Sequence, residues 1–375
     1  MSLHIAGMGW ITPLGSGVNE VWKRLLRGDE PVADALLDPV GGKSHDAFRV
    51  PASALQELPV HPRLRRASAI SRFAAAAGTA ALREAENNLG EIDPTRVALI
   101  FAISNGGVIY TKRFYHDVVA SGAGAASPLL FPETVFNAPA SHLAALLGVT
   151  GPTYTLVGDG SVGLSAVNMA EDLMNTAVDF CLVVGAEEAD WLLCDAYARW
   201  RLLRPHPPIE PFAEPPRGMI PSEGAGAILV ARRGPVRIQK THPAICYKNR
   251  RELAQKAETL LREMDTSSAA AIVSSANGTF IDAAEAAAIS NVARAAPSYT
   301  ATPSLGEGIG AGGLWQVIIA AQAVGERRLP SMQHIAVDAP FHQTRPPPGS
   351  LKKSGIVVLS CGLNQQLSAL RLNAG

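Results

Sequence analysis

The sequence predicts a layered α/β protein with largely parallel sheets, on three observations. Short apolar runs alternate with alanine-rich stretches of helical length, the pattern of strands joined by crossover helices. Hydrophobic residues make up 47% of the 375 and charged residues 18%, a balance that suits a buried core and not a disordered chain. Two weak internal echoes point to a repeated half. Phe101-Ala102-Ile103-Ser104-Asn105-Gly106-Gly107 is echoed by Val273-Ser274-Ser275-Ala276-Asn277-Gly278-Thr279, and Gly158-Asp159-Gly160 by Gly306-Glu307-Gly308. Glycine-rich echoes also arise by chance, so on their own they leave duplication open.

Residues 3–9 read as a strand, and 19–26, behind the turn Pro13-Leu14-Gly15, as an amphipathic helix. Residues 68–86 form a long alanine-rich helix that leads to a strand at 97–103. Helix 161–175 precedes strand 180–185, and 227–231 is a further strand. The second half offers strand 269–274, helices 282–295 and 314–324, and a strand at 355–360. The proline-rich stretch 204–216 and the segment 241–251 are expected to be loop or linker.

Composition narrows the partners. Lys+Arg and Asp+Glu balance at 33 each, so no global basic field attracts nucleic acid or an anionic membrane. The cysteines Cys181, Cys194, Cys246 and Cys361 show no CxxC pairing, which argues against a metal site or a disulfide framework. The N-terminus lacks a basic region followed by a long apolar core, and the apolar stretches stop short of a membrane span. The expectation is a cytoplasmic chain without metal or cofactor.

Several ordered motifs then carry a resemblance. Ile5-Ala6-Gly7-Met8-Gly9-Trp10-Ile11-Thr12-Pro13-Leu14-Gly15 opens the chain, followed by Val21-Trp22-Lys23-Arg24-Leu25-Leu26-Arg27-Gly28. Further on stand Ser127-Pro128, Asn137 with His142-Leu143, Leu147-Gly148 and Gly151-Pro152. Gly185-Ala186-Glu187, Glu210-Pro211-Phe212 and Ser222-Glu223-Gly224-Ala225-Gly226 complete the set. Together they resemble the β-ketoacyl-acyl-carrier-protein synthases of the thiolase superfamily. The resemblance thins over 234–268 and resumes from Ala269. It implies a thiolase-like fold of two duplicated βαβαβ-type halves, 1–233 and 234–375, packed as α-β-α-β-α layers in one compact and usually dimeric unit.

Such a synthase needs a nucleophilic cysteine at a helix N-terminus, where the dipole supports the thiolate. Two histidines then stabilise the developing enolate as carbon dioxide leaves. Here the motifs put Gly160 in the cysteine's position, Asn277 in the first histidine's and Glu307 in the second's. Thr302 replaces a lysine, and Leu363-Asn364 takes the place of the aromatic gate. The turn from Thr279 to Asp282 is also about three residues short. No catalytic residue of the set is intact, so condensation is not expected.

The changed positions allow bland and functional readings. Gly160 reads as a helix-start glycine. Ser161 reads as an N-cap or first-turn residue, with a substitute nucleophile as the alternative. Asp159 and Glu307 are either solvated or paired with arginine, or face one another as acid and base. Asn277 is either a turn residue or a donor to a thioester carbonyl. His142 and Glu223 read as structural. Arg63, Arg65 and Arg66 read as a solvated face or a contact for the acidic acyl carrier protein.

The leading expectation is a non-condensing partner subunit of an active ketosynthase, similar to the chain-length factors of type II fatty-acid, polyketide or aryl-polyene systems. The alternatives are a re-purposed acyl-thioester enzyme using Asp159, Ser161, Asn277 or Glu307, and a homodimeric acyl-binding scaffold. Leu129, Leu130 and Phe131 match the segment that family members push across the dimer interface, with a ketosynthase or a second copy as the partner. The old pocket is expected to shrink to a small, polar remnant beside Gly160, Asn277 and Glu307.

Overall fold

The computed structural model describes residues 2–39, 41–175, 178–335, 339–345, 348–351 and 355–375. Ten strands lie on one hydrogen-bonded path. The first half supplies β1 (Leu3–Thr12), β2 (Val97–Ile103), β3 (Thr153–Val157), β4 (Phe180–Glu187) and β5 (Gly224–Ala231). The second supplies β6 (Val236–Cys246), β7 (Ala271–Val273), β8 (Ser298–Tyr299), β9 (Ile356–Cys361) and β10 (Gln366–Ala374).

Their spatial order is β8-β7-β9-β10-β6-β1-β5-β4-β2-β3. Each half therefore repeats one topology, its third, second, fourth, fifth and first strands in that order from the outer edge inward. In each half the second strand pairs in parallel with the third and the fourth. The fifth runs antiparallel to both the fourth and the first. Four strands of five thus share one direction, and the duplication that the echoes left open is visible in the topology. The halves join where Leu3, His4 and Ile5 pair antiparallel with Ile238, Arg237 and Val236.

Helices fill three layers. Ala69–Leu89 covers the outer face of the first half, with Ala74, Ala77, Ala81 and Ala85 turned inward and fully buried. It lies so close to β1 that a Cβ on Gly9 would stand 1.9 Å from the Ala77 carbonyl oxygen. Val162–Met174 and Gly312–Glu326 form the central layer, and Arg250–Glu263 with Ile281–Val292 cover the second half. The two central helices meet backbone to backbone: a Cβ on Gly163 would fall 2.8 Å from the Leu314 nitrogen. Around that contact Leu314, Val317, Ile318 and Ile319 are buried, each contributing about 1.5–3 kcal/mol of transfer free energy.

Most sequence-predicted elements appear with shifted ends, such as a second-half helix at Ile281–Val292 where 282–295 was expected. The stretch 204–216 carries no helix or strand. The segment 241–251 is a correction. It holds the second half of β6 and the start of helix Arg250–Glu263, whose N-cap Asn249 accepts from the Glu252 N–H at 3.0 Å. Pro243 and Asn249 look like loop punctuation, yet β6 is secured by its ladder to β10 and needs no apolar run. No helix of the described residues is long and apolar enough to cross a membrane.

The exposed apolar side chains include two groups. β3 is the outer edge of the path, with Tyr154 and Val157 exposed. Leu129 and Phe131 are 65% and 54% exposed, Leu130 is half-buried, and the Phe131 ring sits 5.6 Å from that of Phe114.

Candidate functional site

Chain segments leaving the carboxyl ends of β2, β3, β7, β8 and β9 converge where the central helices begin, the usual place for a site in parallel α/β sheets. Residue 160 lies between β3 and helix Val162–Met174. Its carbonyl accepts from Ser360 Oγ at 2.9 Å, and its N–H has no hydrogen-bond partner among the described residues. A Cβ here would meet nothing nearer than 3.8 Å. The backbone therefore still has room for a side chain that the sequence does not supply.

Asp159 is buried and folds back over the last loop. Its Oδ2 accepts from the Asn364 N–H at 2.6 Å, and its Oδ1 from the Ser161 N–H and Oγ–H, each at 3.3 Å. The carboxylate packs so closely on Gly362 that a Cβ there would be 2.0 Å away. Burial pushes its carboxyl above the ordinary range, against the lowering by these hydrogen bonds. Ser161 does stand at the N-cap position, but its side chain makes no capping bond; its hydroxyl is spent on Asp159 and is fully buried.

Asn277 and Glu307 are directly bonded, Asn277 Nδ2 donating to Glu307 Oε2 at 2.6 Å. The Asn277 Oδ1 accepts from Thr279 Oγ1 at 2.7 Å and from its N–H at 3.2 Å. Glu307 Oε1 accepts from the Ile309 N–H at 2.9 Å. Burial raises the Glu307 carboxyl, and the charge of Asp159 adds to the rise. Beneath the shortened turn, Asp282 accepts from the N–H groups of Asn277, Gly278 and Phe212 at 2.9, 2.9 and 2.7 Å. Its burial lifts it to about 6. Thr302 Oγ1 donates to the Ala276 carbonyl at 2.6 Å and so anchors the same turn from below.

Asp159, Gly160, Asn277, Glu307, Leu363 and Asn364 line one cleft of about 1010 Å³. The expected small remnant is thus corrected to a large, open cleft, because Asp159 folds away onto Gly362 and the turn is drawn down onto Asp282. Behind it lies an inner cavity of about 40 Å³. Gly160, Glu307 and Cys361 border both, while Thr302 borders only the inner one. Tyr197, Trp200, Arg201 and Arg250 also line the cleft. Sequence reasoning missed them, since helix Trp191–Arg199 and the start of Arg250–Glu263 carry no motif.

Leu129, Leu130 and Phe131 take no part in the cleft. His142 Nε2 pairs with Glu133 at 2.6 Å, and Glu223 accepts from Arg49 Nε and the N–H groups of Val50 and Ala189 at 3.1, 3.1 and 3.3 Å, as structural roles require. Arg63, Arg65 and Arg66 are exposed and form no ion pair among the described residues.

The doubled strand order, the three helical layers and the convergent segments define a thiolase-like fold. Residues 2–234 match the family model "Beta-ketoacyl synthase, N-terminal domain", and the chain belongs to that family. It is similar to 3-oxoacyl-acyl-carrier-protein synthase 2 of Vibrio cholerae, 23% identical over 187 residues, which are 49% of this chain and 45% of the relative. The Staphylococcus aureus enzyme of the same name is 21% identical over 233 residues, 60% of this chain and 58% of the relative. The chain thus spans about half the length of the curated relatives it matches. Among solved structures, the ishigamide ketosynthase/chain length factor superposes with a TM-score of 0.86 at 21% identity, covering 100% of this chain and 99% of that one. The ketosynthase ApeO in complex with its chain length factor ApeC from Xenorhabdus doucetiae gives 0.83 at 19% identity, covering 100% and 98%.

Proposed function

We propose that this chain is a non-condensing partner subunit of an active ketosynthase, similar to a chain length factor, in type II fatty-acid, polyketide or aryl-polyene synthesis. The observation that carries the reading is Gly160 at the start of helix Val162–Met174, where a synthase needs a thiol. Glycine has nothing with which to hold an acyl group. The Asn277–Glu307 pair supports the same conclusion, because a carboxylate repels a developing enolate that histidine N–H groups would stabilise. Solved ketosynthase and chain length factor assemblies of the same fold add support.

In this reading residues 1–233 and 234–375 are halves of one structural unit, acting in the cytoplasm. Leu129, Leu130 and Phe131 form part of the interface, with a ketosynthase or a second copy of this chain opposite. Arg63, Arg65 and Arg66 offer an approach for an acidic acyl carrier protein. The test is co-expression with a neighbouring ketosynthase that retains cysteine and both histidines, followed by sedimentation and a condensation assay. The expected result is a stable assembly in which condensation depends wholly on the partner's cysteine. Condensation by this chain alone, or a monomer at micromolar concentration with and without the partner, would sink the proposal.

A further inference from the structure

We propose that the vacated position at Gly160 is a water-activation site, at which Glu307 acts as general base in the hydrolysis of acyl thioesters. The substrate class rests on the thioester-handling reading above; the chemistry goes beyond it.

Space and polarity at the site fit a water. Gly160 and Glu307 border both the open cleft and the inner cavity, and so stand between the two at the missing side chain. About 40 Å³ is room enough for water. Trp315 and Gln316 line that cavity, and the Trp315 Nε1–H and Gln316 Oε1 are buried without a partner among the described residues. Trp315 is only 3% exposed, and buried polar atoms of this kind are characteristically satisfied by water. Thr302, Ser274 and Ser360 add hydroxyl-bearing side chains to the same wall.

The reacting groups are also present. Each Glu307 oxygen accepts one protein hydrogen bond, from Asn277 or from Ile309, which leaves a lone pair on each for a water. The Gly160 N–H, unpaired at a helix N-terminus, faces no competing acceptor among the described residues and can hold an oxyanion. In the step, Glu307 takes a proton from water as the water oxygen bonds to the thioester carbonyl carbon. The tetrahedral oxyanion then collapses, the carbon–sulfur bond breaks, and the proton on Glu307 passes to the departing sulfur. The products are a carboxylic acid and a thiol.

The full chain is incubated with the octanoyl thioester of N-acetylcysteamine and with an octanoyl acyl carrier protein, following thiol release in normal water and in water enriched in oxygen-18. Thiol release above the protein-free rate is expected, with one heavy oxygen in the acid. Glu307→Gln keeps the shape and the Asn277 contact, and should slow release about 100-fold or more. Gly160→Ala fits the backbone and puts a methyl into the vacated position, and should slow it about tenfold or more. Release at the protein-free rate, or the wild-type rate in either folded variant, overturns the proposal; if one variant fails to fold, the other decides. Sedimentation with the ketosynthase separates the two readings. An intact assembly without hydrolysis defeats only this inference, and hydrolysis without assembly defeats only the subunit reading.

Discussion

The side-chain nitrogen of Asn277 stands 2.6 Å from Oε2 of Glu307, so the two positions where the family resemblance places histidines are joined in one hydrogen-bonded pair. A pair of imidazoles would aim donors at a substrate carbonyl. Here the amide donor is turned inward to a carboxylate, and the acceptor character of the pair dominates. Asn277→Asp places a second carboxylate against the first. Like charges in a buried site force one group to stay protonated. Unfolding free energy should fall by roughly 1–3 kcal/mol at pH 7.5 and by much less at pH 5. Urea titrations at both values check this, and equal losses at the two would count against direct contact between the carboxylates.

Gly160→Cys tests whether the backbone at this helix start can seat a thiol. Because a Cβ meets nothing within 3.8 Å and the helix start is intact, the variant should fold with a stability change below about 1 kcal/mol. Peptide mapping after iodoacetamide should find an adduct at residue 160 in the variant and none there in the wild type. Condensation should remain absent, since Asn277 and Glu307 are unchanged.

The pH dependence of stability should run opposite to that of a salt-bridged protein. Burial raises Asp282 to about 6, Glu285 to about 7 and Glu187 to about 8. A carboxyl whose folded value lies above its unfolded value binds its proton more tightly in the native state. Its stabilisation is fully present below the unfolded value near 4 and is lost as pH rises through the folded one. The carboxyls lowered by ion pairs, such as Asp29 and Asp179, are partly exposed to solvent and offset little. Unfolding free energy should therefore be higher at pH 5.5 than at pH 8.5 by roughly 1–3 kcal/mol, measured in denaturant. A rise with pH would refute this assignment.

Two glycines on the central helices should answer alanine with opposite signs. Gly163→Ala drives a Cβ to 2.8 Å from the Leu314 backbone nitrogen, where neither helix can yield cheaply, and should cost about 1–3 kcal/mol. Gly325→Ala has nothing within 4 Å among the described residues and should gain up to about 1 kcal/mol through helix propensity. Denaturation midpoints of the two variants settle it; similar shifts in one direction would contradict the close crossing.

Much of the fold was legible from a long alanine-rich helix at 68–86 and from short unbroken apolar runs such as 97–103. The repeated half showed only as two short echoes, yet both fall at equivalent ends of equivalent strands. β6 escaped because its stability comes from pairing with β10, a partner more than a hundred residues away. At the site, motif order alone brought Gly160, Asn277 and Glu307 to one cleft. The hydrogen bond between the last two was not legible, since no local spacing relates residues 277 and 307. Nor was the cleft's size, which depends on where Asp159 folds and on Tyr197 and Trp200, residues without a motif. Burial of Ser161 was likewise invisible, and it removes that hydroxyl from reach.

The uncovered strand Thr153–Val157 also constrains how a cell must handle the chain. A sheet that ends on an open ladder, with Tyr154 and Val157 turned to water, is a template for any extended segment that drifts past. While that edge stays bare, the chain is open to promiscuous strand addition, so crowding of its own copies raises the risk of edge-to-edge aggregation.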